Sequence, residues 1–182
     1  MKIIFITGGS RSGKSSYAIT LSEGHGGRKA FIATAEPLDD EMHLRIDAHK
    51  RQRPDVWETF EEPVHLAETI AGLMTQYEVI LIDCLTLWLT NIFMREPFPE
   101  SGTITSAIDD FISKIKKLQA AESAELKDTH LYLVSNEVGM SIVPENKLAR
   151  VFRDAAGVLN QQAAAIADEV YFVVSGLPLK LK

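Results

Sequence analysis

The sequence predicts an α/β fold, a mostly parallel sheet with helices on both faces and an edge strand at the C-terminus. Three observations predict it. Short, almost unbroken apolar runs recur along the chain, helical spacing fills the intervals between them, and a glycine-rich turn follows the first run. Unbroken runs belong to strands buried on both faces, and strands that alternate with helices build a parallel sheet.

"KIIFIT" (2–7), rich in β-branched and aromatic residues, reads as the first strand. The turn "GGSRSGKS" (8–15) leads from it into a plausible helix, and "KAFIAT" (29–34) is the second strand. Helical geometry is expected across Met42 to Arg53. Pro63 suits the first turn of a helix that carries Val64, Ala67 and Ile70 inward. "EVILID" (78–83) is the third strand, and "REPFPESGTITS" (95–106), with two prolines and one glycine, is the best loop candidate. Ile108, Phe111, Ile112, Ile115 and Leu118 keep helical spacing, and residues 119–129 carry that helix's end and exit. "HLYLVS" (130–135) is another strand, followed by a helix through Leu148, Val151, Phe152, Ala155 and Leu159, and then by the strand "EVYFVV" (169–174). "SGLPLKLK" reads as a turn into a short edge strand that could run antiparallel. No repeat or low-complexity segment interrupts the series, so residues 1–182 are expected to form a single domain.

Composition narrows the function. The chain has 182 residues, 46% hydrophobic, and a net charge of -6 from 19 Lys and Arg against 25 Asp and Glu. That balance argues against general nucleic-acid binding, which needs a broad basic surface. Cys84 stands alone, which excludes an intramolecular disulfide and a cysteine-based zinc cluster, and it reads as a small buried apolar residue. No apolar run approaches the ~18 residues of a membrane span. "MKIIFITGG" is too short in its apolar part for a signal peptide, so a cytoplasmic location is expected.

Gly8, Gly13, Lys14 and Ser15 complete the phosphate-loop pattern G-x-x-x-x-G-K-[ST] between a strand and a helix. Its backbone N–H groups can turn inward on phosphate oxygens, and the helix adds its positive end. Lys14 would bridge the outer phosphates, and Ser15 would hold Mg²⁺. Asp83, at the carboxyl end of an apolar strand, is the candidate for the rest of the Mg²⁺ shell. Together these residues indicate a nucleotide bound with magnesium, and no more.

The stretch "RIDAHKRQRP" (45–54) is basic within an acidic protein, which suggests a local site for an anion. His43 and His49 are six residues apart and too far around a helix to form a metal pair. His43, flanked by Asp39 and Asp47, reads as a solvated, charge-paired residue. His49 lies on the face of Met42 and Ile46, expected to point inward, with Arg45 and Arg53 on the same side. Neighbouring cations disfavour imidazolium, so a neutral, nucleophilic ring is one reading. A histidine that packs on the sheet beside solvated basic residues is the other, and spacing does not choose between them.

"GGSRSGKS", "ATAEPLDDEMHLRIDAHKRQRP", "SNEVGMSIVPENKLARVFRDAAGVLNQ" and "VVSGLPLKLK" closely resemble the bifunctional adenosylcobinamide kinase/adenosylcobinamide-phosphate guanylyltransferase family of cobalamin biosynthesis. The similarity runs from the first strand to the last residue and is weakest over 95–128, which holds no recognisable motif. The resemblance implies a RecA-like fold, a homotrimer with sites near subunit boundaries, and two reactions. ATP or GTP phosphorylates the aminopropanol hydroxyl of adenosylcobinamide. GTP then guanylylates a histidine, and GMP passes to adenosylcobinamide phosphate. The family's nucleophile, in an H-K-x-x-R-P context, falls on His49. Its nucleotide contacts fall on Gly8, Gly9, Ser10, Arg11, Ser12, Gly13, Lys14 and Ser15, on Thr34, Ala35 and Glu36, and on Lys50, Arg51, Gln52 and Arg53. Glu61 and Asp83 complete them. Asn136, Glu137, Asn146, Arg150 and Arg153 are plausible neighbours of the corrin ring from their polar, clustered placement.

Two rivals stay open on sequence. In a plain small-molecule kinase the basic segment would be only a phosphate-clamping lid. A RecA-like ATPase coupled to assembly or polymer binding would want a basic surface, which this composition does not offer.

Overall fold

The computed structural model describes residues 1–37, 39–95, 101–121 and 129–182, and of Arg45, His49, Gln52 and Ser101 the backbone alone. Its elements follow in the order β1 (Lys2–Gly8), α1 (Lys14–Ser22), β2 (Lys29–Ala33), α2 (Asp40–Gln52), β3 (Trp57–Glu61), α3 (Leu66–Leu73), β4 (Val79–Asp83), α4 (Leu85–Arg95), α5 (Ser101–Ala120), β5 (His130–Asn136), α6 (Lys147–Ile166), β6 (Glu169–Val174) and β7 (Leu177–Lys180). They build a 7-stranded sheet in the order β3-β2-β4-β5-β1-β6-β7. The first six strands run parallel and β7 returns antiparallel along β6, as the C-terminal turn suggested.

Period-2 alternation splits each central strand between two cores. Ile3, Phe5, Ile32, Ile80, Ile82, Leu131 and Leu133 face a large core closed by α3, α4, α5 and α6. Ile4, Ile6, Phe31, Leu81, Tyr132 and Val134 face a smaller one, covered by α1 through Ala18 and bounded by Trp57. The sheet is thus dressed on both faces, unequally. Cys84 is buried in the smaller core, and burial pushes its thiol up to about 12. It serves as a packing residue of that core.

Four expectations need correction. β3 was not foreseen, because "WETFE" is an edge strand with Glu58, Thr59 and Glu61 exposed, so it carries no apolar run. Asp83 therefore ends the fourth strand. Within 95–106, residues 101–106 open α5, where Ile104 lies one turn before Ile108 and both are fully buried; residues 96–100 lie outside the described residues, as do 122–128. Pro63 precedes α3 without entering it. The Glu62 carboxylate accepts from the N–H groups of Val64 and His65, each at 2.8 Å, and this turn delays the helix to Leu66. Finally, α2 carries no fully buried face among its described residues. Met42 and Ile46 are only half-covered, and none of the helix's described residues is buried.

Candidate functional site

The parallel strands end side by side, and their carboxyl ends carry the predicted residues, where ligands of open α/β sheets bind. Gly8 lies opposite Asn136, and Ala33 lies between Asp83 and Glu61 in the ladders. Past Gly8 the chain turns through Arg11 at φ 56° and Gly13 at φ 95° before α1 begins. The left-handed Gly13 aims the first N–H groups of α1 into the turn. Ser12 O accepts from Gly176 N at 2.8 Å, so the β6–β7 turn braces the loop from behind. Nothing in the sequence marks that contact.

Lys14 is buried, and its ammonium donates to Gly9 O at 2.8 Å within the loop. Burial lowers its pKa, against the opposing pull of Cys84 and Asp83. Ser10 and Arg11 are exposed, Gly9 and Ser15 half-covered. The Ser12 and Thr7 hydroxyls are buried without a partner among the described residues. The carboxylate of Asp83 and the hydroxyl of Ser15 form no hydrogen bond within the described residues, so both keep oxygen lone pairs available. Those hard donors fit Mg²⁺, which takes one or two protein oxygens and leaves the rest to phosphate and water.

Thr34 is fully buried, and its polar atoms are all engaged within the protein. Its hydroxyl bonds Cys84 N and Cys84 O, its N–H donates to Asp83 O, and its carbonyl accepts from Asn91 Nδ2. Ala35 and Glu36 follow, half-covered. Glu36 is held by both guanidinium nitrogens of Arg95, at 2.8 and 2.9 Å, which keeps its carboxyl below the usual range. Arg95 ends α4 in a stretch without a recognisable motif, so sequence offered no signal for it.

The basic segment approaches from the β3 side. Lys50 Nζ pairs with Glu61 at 2.7 Å, and Arg53 donates to the Thr59 hydroxyl while its guanidinium lies 3.4 Å from the centre of the Phe31 ring. Burial lowers the pKa of Arg53, opposed by Asp83 and Glu61, and its Nε has no partner among the described residues. Lys50, Arg53 and Glu61 line a depression of about 420 Å³ with Pro54, Asp55, Trp57 and Thr59. Arg51 is exposed and is not among those lining residues. The backbones of His49 and Gln52 lie in the last turn of α2, and their side chains lie outside the described residues. His43 is exposed, as expected of a solvated residue, and Asp39 caps the helix by accepting from Met42 N at 2.7 Å; among the described residues no ion pair joins His43 to Asp39 or Asp47. Asp83 and Glu61 flank Ala33 in the neighbouring ladders, which brings the end of β4 beside the strand whose Glu61 holds Lys50.

Of the residues considered for the acceptor, Asn136 and Glu137 border the phosphate loop, with Glu137 N donating to Gly8 O at 2.9 Å. Asn146 caps α6, Arg150 binds the carbonyls of Pro144 and Glu145, and Arg153 pairs with Asp154.

Residues 4–181 match the model of the family described as CobU, cobinamide kinase / cobinamide phosphate guanyltransferase. The chain is 42% identical over 183 residues to the bifunctional adenosylcobalamin biosynthesis protein CobU of Escherichia coli (strain K12), covering 99% of each chain. It is 44% identical over 186 residues to the protein of the same description from Salmonella typhimurium (strain LT2), again across 99% of each. The CobP protein of Pseudomonas aeruginosa is 37% identical over 177 residues, or 97% of this chain and 95% of the relative. A solved structure described as a prototypical ATPase from the type III secretion system of pathogenic bacteria superposes with a TM-score of 0.54 at 12% identity, over 98% of this chain and 56% of that one. That likeness concerns the fold alone, which is of the RecA-like P-loop NTPase kind.

Proposed function

The chain belongs to the cobinamide kinase / cobinamide phosphate guanyltransferase family, and from that premise we propose how its residues divide the two activities. It is a bifunctional enzyme of adenosylcobalamin biosynthesis. In the kinase reaction the aminopropanol hydroxyl oxygen of adenosylcobinamide attacks the γ-phosphorus of ATP or GTP, and the nucleoside diphosphate leaves. Phosphoryl transfer is mostly positioning and neutralisation of charge. Gly8 to Ser15 position the phosphates, and Lys14 neutralises them. Ser15 and Asp83 would hold Mg²⁺, which would supply further neutralisation.

In the second reaction a ring nitrogen of His49 attacks the α-phosphorus of GTP. The α–β phosphoanhydride bond breaks and pyrophosphate leaves. A phosphate oxygen of adenosylcobinamide phosphate then displaces the histidine, giving adenosylcobinamide-GDP. Lys50, Arg51, Gln52 and Arg53, with Glu61, Ala35 and Glu36, hold the nucleotide for this step, while Thr34 lies behind them with its polar atoms engaged within the protein. The supporting observation is that the phosphate loop, Asp83, and Glu61 with its partner Lys50 all lie at the carboxyl ends of parallel strands of one sheet. One nucleotide site then serves both reactions.

One domain over residues 1–182, acting in the cytoplasm as a homotrimer, completes the proposal. In support, no helix among the described residues is long and apolar enough to cross a membrane. Leu177, Leu179 and Leu181 are exposed on one side of the last strand and its end, an apolar row suited to cover by another copy.

The test is to incubate the protein with GTP labelled at the α- or the γ-phosphate and then denature it. The α-label should stay on the protein, be lost in acid and survive alkali, as a phosphorus–nitrogen bond does, and γ-label should not stay. Acid-stable, alkali-labile attachment would remove His49 as nucleophile. No attachment at all would leave a plain kinase.

A further inference from the structure

We propose that Thr34 is a positioning residue for Asp83, clasping the backbone beyond it instead of touching nucleotide. The inference rests on the reading of Asp83 as a magnesium-side carboxylate. A carboxylate that serves a metal is ordinarily oriented by hydrogen bonds to its own oxygens. Asp83 has none among the described residues, so its direction depends on how firmly its backbone is held.

The β2–β4 ladder ends where Ala33 faces Asp83. Beyond that point the sheet no longer determines the course of β4, and the chain must turn at once into α4. Thr34 takes over there. Its N–H reaches Asp83 O at 3.3 Å. Its hydroxyl accepts from Cys84 N at 2.8 Å and donates to Cys84 O at 2.8 Å, so one side-chain oxygen ties both polar groups of the next residue. A hydroxyl can do this because it is both donor and acceptor.

Thr34 is itself immobilised. It is 0% exposed, and its carbonyl accepts from Asn91 Nδ2 at 2.7 Å, an amide that also donates to Pro63 O at 3.1 Å. On the other flank, the Thr86 hydroxyl accepts from Asn136 N at 2.6 Å and lies 3.1 Å from Ser135 Oγ. The turn after Asp83 is therefore fastened to β2 by Thr34 and to β5 by Thr86. The carboxylate, which makes no hydrogen bond among the described residues, is left aimed by its backbone.

Valine replaces threonine with little change of shape and removes the clasp. The readout is the affinity for a fluorescent, non-hydrolysable GTP analogue, measured in Mg²⁺ and in EDTA, with thermal unfolding as a check on folding. In Thr34→Val the gain in affinity on adding Mg²⁺ should shrink about 10-fold, a typical loss for a residue behind a metal ligand. Affinity in EDTA should stay within about 2-fold, because no nucleotide contact has gone. Thr34→Ser should restore the Mg²⁺ effect. With Asp83→Asn already present, Thr34→Val should cost nothing more, since both changes act through one carboxylate.

A folded Thr34→Val with the wild-type Mg²⁺ effect overturns the proposal, and so does an additive loss in the double variant. A large loss in EDTA would instead return Thr34 to direct nucleotide contact. If Asp83→Asn alone keeps the wild-type Mg²⁺ effect, the reading of Asp83 fails, and the clasp fails with it as a magnesium device. Should Thr34→Val not fold, Thr34→Ala supports the same comparison, because it releases the clasp and leaves room for a water.

Discussion

Gly8 closes β1 between Asn136 of β5 and Val173 of β6, and the phosphate loop begins from it. A Cβ at this position would stand 2.4 Å from Val173 O and 2.8 Å from Ser12 Oγ. A carbon and a carbonyl oxygen rest comfortably at about 3.3 Å, so Gly8→Ala must open the β1–β6 pairing by roughly 0.9 Å. The obstructing oxygen belongs to the backbone of a central strand and cannot swing away. Overpacking of this kind costs ~1–3 kcal/mol. At ~2 kcal/mol, a chain of this size should lose about 4–8 °C in Tm. The loop moves with the strand, and a misplacement near 1 Å can cost ~100-fold in turnover.

Gly9 supplies the control. An added Cβ there meets no atom within 4 Å. Gly9→Ala should therefore stay within ~0.5 kcal/mol of wild type in stability, or about 2 °C. Calorimetric unfolding of both variants, with kinase turnover for Gly8→Ala, is the assay. Equal melting temperatures for the two variants would refute the argument from the β6 carbonyl.

A second pair of variants separates the two activities. Lys14→Ala should lower both phosphorylation and guanylyl transfer, by ~10²–10³ each, because one ammonium faces both developing charges. His49→Ala should lose guanylyl transfer and retain much of the kinase activity. Assaying adenosylcobinamide phosphate and its GDP derivative reads both; self-guanylylation of Lys14→Ala at the wild-type rate would mean two nucleotide sites. Stability should also depend on pH through His25, which stacks on His130 with ring centres 3.7 Å apart. Burial first, then His130, Lys29 and Lys2, hold the His25 pKa below its ordinary 6.5. The unfolded chain therefore takes up that proton first, and stability should decline as pH falls below about 6.5. His25→Phe keeps a stacking ring without the proton and should flatten the melting temperature between about pH 7 and 5.5; an unchanged slope would show that another group is responsible. At lower pH the Glu169 carboxyl, held down to about 2 chiefly by Lys2, adds a loss from its unfolded value near 4.5 downward. Glu169→Gln should remove that limb.

Sequence showed the parts of this fold whose signal is local. β1, β2, β4, β5 and β6 are unbroken apolar runs because each is covered on both faces. The phosphate loop was legible because its glycines, Lys14 and Ser15 are contiguous. β3 escaped because an edge strand keeps only Trp57 buried. α4 received no assignment, since "LTLWLTNIFMR" is apolar nearly all the way round and is buried at Leu85, Trp88, Leu89 and Phe93. The start of α5 was hidden by Gly102 and the prolines before it, although Ile104 continues the spacing of Ile108 and Phe111 backward.

The site divides along the same line. Lys14 and Ser15 depend on neighbours in sequence, but the setting of the basic segment depends on residues far away. No described residue of α2 is buried, so no apolar stripe could have told where the helix lies. Lys50–Glu61 is an exposed pair, worth ~0–1 kcal/mol. The firmer anchor is Arg53, whose guanidinium covers Phe31, a contact worth ~0.5–2 kcal/mol, and whose amino group reaches Thr59. Phe31 reads as core, and Thr59 and Glu61 sit on the strand that sequence missed. The same arrangement explains why an acidic protein can hold a basic segment in place. Glu61 and Asp83 both offset the cost of burying the Arg53 charge, so a phosphate entering beside them would meet a guanidinium already seated on Phe31 and charged at any ordinary pH.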